Sequence, residues 1–443
     1  MGFLTNSEND IQEMLSQIGV EKFDDLISNI PAELRFKGKI NIPDAISEAE
    51  ITTLINVLAA KNELGVSFMG GGVYDHYVPA IVGSLISRSE FYTAYTPYQP
   101  EVSQGTLQSI YEFQSMISEL TQMDVTNASM YEGGSALAEA LLLACAHTKS
   151  NKVLLAGSVN PRYREVLESY ISHNDIELID IPISEFTVDL AAYKKMLNDD
   201  VAAVIVQSPN FYGYIEEMKE IALQIQDKKA LFIAAYDPLS LGILSPPGEY
   251  HADIAIAEGQ VLGNNQNFGG PFVGLFSASN ELVRRIPGRI AGMTNDLEGN
   301  SGFVLTLQTR EQHIRREKAT SNICTNSGLL ALAATIYLAA MGKYGIREVA
   351  NLCIQKSHYL AEELSRIPSV EVIKDKPFFK EFLIKISESV DKVLEKLKKE
   401  GILGGINLRK WGMDGYLLVT VTEKRTKEEM DRYVAVMREA LSK

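Results

Sequence analysis

The sequence predicts an α/β protein, with a mostly parallel sheet in a large domain and a smaller α+β domain at the C-terminal end. Three observations predict it. Between about residues 61 and 330, short apolar runs rich in β-branched residues alternate with helical segments. Strands separated by helices imply crossover connections, and therefore parallel neighbours buried on both faces. Beyond residue 345 strand-like runs persist, but the regular alternation does not. Finally, 443 residues at 46% hydrophobic and 22% charged content can bury a sizeable core, enough for two or three domains at roughly 150 residues each.

Residues 1–60 read as a helical arm. Ser7-Glu-Asn-Asp10 opens a helix in the manner of a capping box, and Ile11, Met14, Leu15 and Ile18 follow at helical spacing. Ile30-Pro31 and Ile42-Pro43 interrupt the pattern; Ser47-Glu-Ala-Glu50 opens a second helix bearing Ile51, Leu54, Ile55 and Leu58. Such stripes must pack on the main domain or on another chain. The large domain, 61–330, carries strands at 153–156, 203–206, 231–235, 254–257 and 273–276, with helices at 161–173, 189–197 and 216–226. Ligands of open sheets sit beyond the carboxyl ends of the strands, which is where chemistry is expected. The small domain, 331–443, begins in a long apolar helix (329–341) and continues through Gly342 and Gly345 into a helix at 346–366. Strands at 370–373, 382–386 and 416–421 and helices at 390–400 and 427–441 follow.

Composition excludes several classes. Asp plus Glu outnumber Lys plus Arg by 57 to 42, a net charge of −15. That sign disfavours nucleic acid, whereas a phosphorylated small molecule needs only a local cradle. Cys145, Cys324 and Cys353 are odd in number and form no CxxC, which argues against a disulfide framework and against a zinc site; no metal is expected. The first ten residues have no basic region ahead of an apolar one, and no unbroken apolar run nears ~20 residues, so neither a secretory signal nor a membrane span is expected. A cytoplasmic protein fits these features.

Four segments carry chemistry or its alternatives. Gly133-Gly134-Ser135 opens a helix, where free N–H groups and a hydroxyl suit a phosphate; a capped, closely packed helix reads equally well. Asp237 ends the strand at 231–235 and either pairs with a protonated ring nitrogen or caps the next turn. Tyr92, Tyr95, Tyr98 and Gln99 belong to a proline-broken aromatic loop that lines a cleft or an interface, or else packs in the core. The basic run Arg310–Lys318 reads first as a solvated or ion-paired helix face, and the loop after it is dense in hydroxyls, Thr320, Ser321 and Thr325, with the amide of Asn322 among them. His76 and His313 lack metal-ligand spacing and read as structural.

The order of a phosphate-type helix start, a strand-ending Asp and a further strand before a glycine turn resembles fold type I pyridoxal-phosphate enzymes. Within them, Tyr95-Thr-Pro-Tyr-Gln-Pro-Glu-Val-Ser-Gln-Gly105, Asn127-Ala-Ser-Met-Tyr-Glu-Gly-Gly-Ser-Ala136, Gly269-Gly-Pro271 and the long stretch from Leu307 to Thr325 closely resemble the glycine cleavage system P-protein. The length is similar to the version split into two chains, the likeness being to the first (α).

The resemblance implies decarboxylation of glycine on pyridoxal phosphate and transfer of the aminomethyl group to the lipoyl arm of H-protein, an oxidoreductase activity. It also implies a lysine just after the strand that follows Asp237. No lysine occurs between Lys229 and Lys318. By resemblance, then, the Schiff-base lysine and its cofactor belong to the β subunit, in an α2β2 assembly in which this chain completes the β site and is not active alone. No catalytic residue is assigned. Gly133, Gly134, Ser135 and Asp237 are candidates for a vestigial cofactor site; Tyr95, Tyr98, Gln99, Thr320, Ser321 and Asn322 are candidates to line the partner's active site. The rival readings are a scaffold that only stabilises the β chain and a self-sufficient enzyme using another lysine, such as Lys318.

Overall fold

The computed structural model describes residues 5–442, which divide into two units, one ending at Glu63 and one beginning at Leu64. In the first unit, helix α1 (Glu8–Ile18) starts at Ser7, whose hydroxyl accepts from the Asp10 N–H while the Asp10 carboxylate accepts from the Ser7 N–H. Gly19, at φ 85°, ends it in the left-handed conformation a side chain resists. Helix α2 (Glu48–Ala59) begins with the same reciprocal cap between Ser47 and Glu50. None of its side chains is buried: Ile51, Leu54, Ile55 and Leu58 all stand exposed.

The second unit is built on a seven-stranded sheet. Its strands are β1 (Val125–Thr126), β2 (Lys152–Ala156), β3 (Glu177–Ile181), β4 (Val201–Ser208), β5 (Leu231–Tyr236), β6 (Ile254–Glu258) and β7 (Gly274–Ala278), in the order β1-β7-β6-β5-β4-β2-β3. Strands β3, β2, β4, β5 and β6 pair in parallel. The run expected at 273–276 is β7, antiparallel to both neighbours. A loop, not a crossover helix, joins β6 to β7, so the chain can return only in the opposite sense.

Helices α3 (Gln104–Thr121), α4 (Gly133–Thr148), α5 (Pro161–Ile171), α6 (Leu190–Met196) and α7 (Met218–Ile225) cover this sheet. α4 is apolar on every side and buried along most of its length behind it. α7 starts two residues later than the sequence suggests because the Glu216 carboxylate is turned inward. There it accepts from Ser158 Oγ (2.7 Å), Asn210 Nδ2 (2.7 Å) and the Val188 N–H (2.9 Å). A hairpin of β8 (Ile290–Asn295) and β9 (Ser301–Thr306) leans on α3.

One long helix, α8 (Gly328–Ser365), joins the large sheet to the C-terminal layer and passes through the boundary read from the sequence at 331. It is long and apolar enough to cross a membrane, but its apolar side chains sit in two cores. Ala334, Tyr337 and Ala350 pack with the large sheet, Leu360 and Leu364 with the C-terminal one. Gly342 (φ 56°, ψ −176°) breaks it. The C-terminal antiparallel sheet runs β10 (Val370–Val372), β11 (Glu381–Ile386), β13 (Tyr416–Thr420) and β12 (Ile406–Asn407), backed by α9 (Val390–Lys399) and α10 (Lys427–Leu441). The crossing segment that starts at Leu64 pairs Val66–Ser67 with Ile402–Leu403 and then runs on toward the large sheet.

Candidate functional site

In the parallel register Tyr236 stands opposite Ser208 and Ala257, so Asp237 and Glu258 emerge together at the carboxyl edge of the sheet. Asp237 does two things there. One oxygen caps the turn Pro238–Gly242 by accepting from the Leu239 N–H (3.0 Å), and the other meets Lys380 Nζ at 2.6 Å. Lys380 enters from the head of β11 and is 1% exposed. Its ammonium also donates to His76 Nε2 (2.9 Å) and lies 3.6 Å from the centre of the Tyr74 ring. All three N–H bonds thus have a partner, as a buried charge requires.

His76 Nδ1 in turn lies 2.5 Å from Glu423 Oε2, and Glu423 Oε1 accepts from the Tyr77 N–H. Burial, and then the neighbouring Lys380 ammonium, push the His76 pKa down. The ring is therefore neutral, with its proton on Nδ1 toward Glu423 and its lone pair on Nε2 toward Lys380. Burial pushes the Glu423 carboxyl up, but the bonds from His76 and Tyr77 outweigh it and hold it low. Cys353 Sγ shares this cluster, within 4.8 Å of the His76 and Glu423 ligand atoms. The set does not suit a cation: an ammonium already occupies the imidazole, and burial drives the thiol pKa far up. Beside Lys380, the Glu381 carboxylate accepts from Gly71 N–H (2.8 Å), Thr420 Oγ1 (3.0 Å) and Tyr74 OH (2.8 Å).

The start of α4 is equally occupied. The Glu132 carboxylate accepts from the N–H groups of Gly134 and Ser135, and Glu258 Oε2 accepts from the Gly133 N–H (3.0 Å). Glu258 Oε1 takes the N–H groups of Gln260 (2.9 Å) and Val273 (3.4 Å). Burial raises the Glu258 pKa to about 8 in spite of these donors. Between Tyr74, Tyr163, Asp237, Glu258, Lys380 and Glu381 remains a cavity of about 30 Å³, whereas small-molecule pockets measure roughly 300 Å³ or more.

These residues do not fit pyridoxal phosphate. Its phosphate would find the helix N–H groups taken by two carboxyl groups, its ring nitrogen would find Asp237 neutralised, and its ring would find no room. Gly133, Gly134, Ser135 and Asp237 do converge on one edge of the sheet. Lys380, Glu132 and Glu258, which close it, are residues that sequence reasoning passed over. One signal for Lys380 was present: Lys380-Glu381 interrupts an otherwise apolar run from Phe378 to Ile384.

The other candidates form a separate wall. Arg289, 3% exposed, donates to Thr325 Oγ1 (2.9 Å), the Cys324 carbonyl (2.7 Å) and Tyr98 OH (3.3 Å), and so ties the tyrosine loop to the hydroxyl-rich loop. The Tyr98 ring lies edge-on to His313, with centroids 5.7 Å apart. Ser321 Oγ accepts from the Ile323 N–H (3.0 Å), and Cys324 N–H donates to Tyr131 OH (3.3 Å), next to the start of α4. Tyr95 is 88% exposed, and Gln99, Thr320 and Asn322 also face outward.

The basic run is not one helix face. It forms three short turns, Gln308–Arg310, Gln312–Arg315 and Arg316–Lys318. Arg310 and Glu311 are buried, Arg310 Nη1 bonding the Ile286 carbonyl (2.5 Å), which corrects the solvated-face reading for those two; residues 312–318 are exposed.

Comparison with known proteins bears on this arrangement. A family model described as glycine cleavage system P-protein matches residues 1–437. A protein of Chloroherpeton thalassium, named probable glycine dehydrogenase (decarboxylating) subunit 1, is 51% identical over 99% of this chain and 100% of its own length. One of the same name from Moorella thermoacetica is 50% identical over the whole of both. Among solved structures, the chain is similar to a glycine decarboxylase (P-protein) of the glycine cleavage system in inhibitor-bound form: TM-score 0.94, 40% identity, all of both chains covered. A Lactobacillus brevis glutamate decarboxylase, at 12% identity and TM-score 0.69 over 94% of this chain and 97% of its own, shares the fold alone.

Proposed function

The chain belongs to the glycine cleavage system P-protein family, and from that premise we propose that it is the half of a two-chain glycine dehydrogenase that holds no cofactor and completes the site of the half that does. The fold is that of type I pyridoxal-phosphate enzymes, and the relatives' name, subunit 1, presupposes a second chain. The observation that carries the reading is the filled pocket: Lys380 on Asp237, with Glu132 and Glu258 on the first N–H groups of α4. The turn from 259 to 273 holds no lysine.

Pyridoxal phosphate, bound to the partner, supplies the electron sink for decarboxylation of glycine. This chain contributes a wall. Arg289 holds the Tyr98 and Cys324–Thr325 loops together, and Tyr95, Gln99, Thr320, Ser321 and Asn322 then border the partner's cleft, where they exclude water and orient the substrate and the lipoyl arm of H-protein. The assembly is α2β2 in the cytoplasm.

The test is glycine–bicarbonate exchange by each chain alone and by the two together, followed by Tyr95→Ala and Thr320→Val in the complex. Only the pair is active under this reading. Tyr95, exposed and without a side-chain hydrogen bond among the described residues, lowers exchange about tenfold or more when truncated, a loss of ~1.4 kcal/mol in the barrier, with no change in melting temperature. Full activity in both variants would leave the chain as a scaffold for its partner. Activity of this chain alone would overturn the division of labour.

A further inference from the structure

We propose that the filled pocket is a latch: Lys380 stands in for a ring cation and the Glu132–Glu258 pair for a phosphate, so that the C-terminal sheet is fixed against the large sheet and the cleft between them neither opens nor takes a phosphorylated small molecule.

The bonds of the pocket join separate elements. Asp237 and Glu258 belong to the large sheet; Lys380 and Glu381 head β11; Thr420 ends β13 and Glu423 follows it. Tyr74, His76 and the Gly71 N–H lie on the segment that crosses between the two layers. Each principal bond therefore spans two of these three parts: Lys380 to Asp237, Lys380 to His76, His76 to Glu423, Glu381 to Gly71 and to Tyr74. The crossing segment is bound to the large sheet as well, where the Gln260 side-chain amide both accepts from the Tyr74 N–H and donates to its carbonyl (3.0 Å each).

A pocket that had merely lost its ligand would leave Asp237 and the helix N–H groups to water. Here each has a partner within the chain: a cation meets Asp237, and the carboxyl oxygens of Glu132 and Glu258 accept from the first N–H groups of α4. A cofactor pocket that must admit and release a substrate needs its walls to part; ion pairs buried between layers oppose that. The latch holds the large sheet and the C-terminal sheet in one arrangement. It stands on this geometry and not on which chain holds the cofactor.

The experiment uses the two-chain complex after borohydride treatment, which seals any aldimine on the partner, and pyridoxamine 5′-phosphate as the probe. Without an aldehyde, the probe reports the pocket and not the missing lysine. Expected are no saturable binding up to about 1 mM and, in Lys380→Met, amide hydrogen exchange at least about tenfold faster in the strand Glu381–Ile386 and in residues 70–76. If Lys380→Met does not fold, Lys380→Met with Asp237→Leu removes both charges and restores the soluble complex. Saturable micromolar binding to the untreated pocket of this chain, exchange in Lys380→Met as slow as in the parent, or failure of the double variant to recover would each overturn the latch. Absence of any borohydride-reducible group in the complex would instead count against the division of labour, leaving the latch to be judged by the exchange data.

Discussion

Arg289 ties the two outward loops to each other, and removing it has a calculable cost. Its bonds to the Cys324 carbonyl and Thr325 hydroxyl are 2.7 and 2.9 Å long and partly buried. Hydrogen bonds from a charged donor contribute roughly 1.5–3 kcal/mol each, and at the low end of that range, as partial burial requires, these two supply about 3 kcal/mol. The longer bond to Tyr98, a half-exposed ring 5.5 Å from the guanidinium carbon, adds under ~1 kcal/mol. Glu311, also buried, lies 3.8 Å from Arg289 Nε and loses its counter-charge. Arg289→Met should therefore destabilise the chain by about 4 kcal/mol, which lowers the melting temperature by roughly 5 °C in a cooperative unit of this size. Arg289→Lys keeps the charge but not the planar fork, and should lose about half as much.

The assay is paired: thermal melting of the two-chain complex, and glycine–bicarbonate exchange measured well below the melt. If the loops border the partner's cleft, exchange falls about tenfold in Arg289→Met at a temperature where the protein is fully folded. A melting shift below ~1 °C would refute the energetic reasoning. A full shift with unaltered exchange would refute the claim that these loops serve catalysis.

Two other consequences can be measured. Burial holds Glu258 protonated up to about 8, whereas in the unfolded chain it ionises near ~4.3. Between those values the unfolded state sheds a proton that the folded state keeps, so stability falls as pH rises, by at most ~1.4 kcal/mol per pH unit from this group, and levels off above about 8. In Glu258→Gln that slope is absent, and the offset from an amide nitrogen facing one N–H donor is the same at every pH; melting curves of parent and variant that stay parallel from pH 6 to 9 would sink the assignment. On α2, Leu54→Glu with Leu58→Glu changes side chains that are already exposed. It should leave the melting of the isolated chain within ~0.5 kcal/mol while weakening its association with the second chain, read by analytical ultracentrifugation; unweakened association would mean that the stripe has no partner there.

Fold and site were legible to different depths. The large sheet could be read because strands such as β4, β5 and β6 are buried on both faces and leave uninterrupted apolar runs. The direction of β7 could not, because it depends on the absence of a helix in the turn before it. Capping explains the success at Ser7 and Ser47, where the cap partner is three residues away. Asp237 and Gly133 to Ser135 stood out by position. Their partners did not: Lys380 is 143 residues from Asp237 (380 − 237) and Glu258 is 125 from Gly133, separations that no local pattern encodes. The basic run misled for the opposite reason. Its composition suggested solvent, yet Arg310 and Glu311 are inward because the Ile286 carbonyl and Arg289 lie beneath them.

The self-filled cleft also says something about reversibility. Grafting an amine onto the turn between β6 and β7 would return one atom of an enzyme and nothing else, for the newcomer would face a cavity with room for little more than water. Lys380, Glu132 and Glu258 would all have to be undone together, and undoing any one first strands a charge or an N–H in the interior. A pocket closed in this way is reopened only by changing several side chains at once.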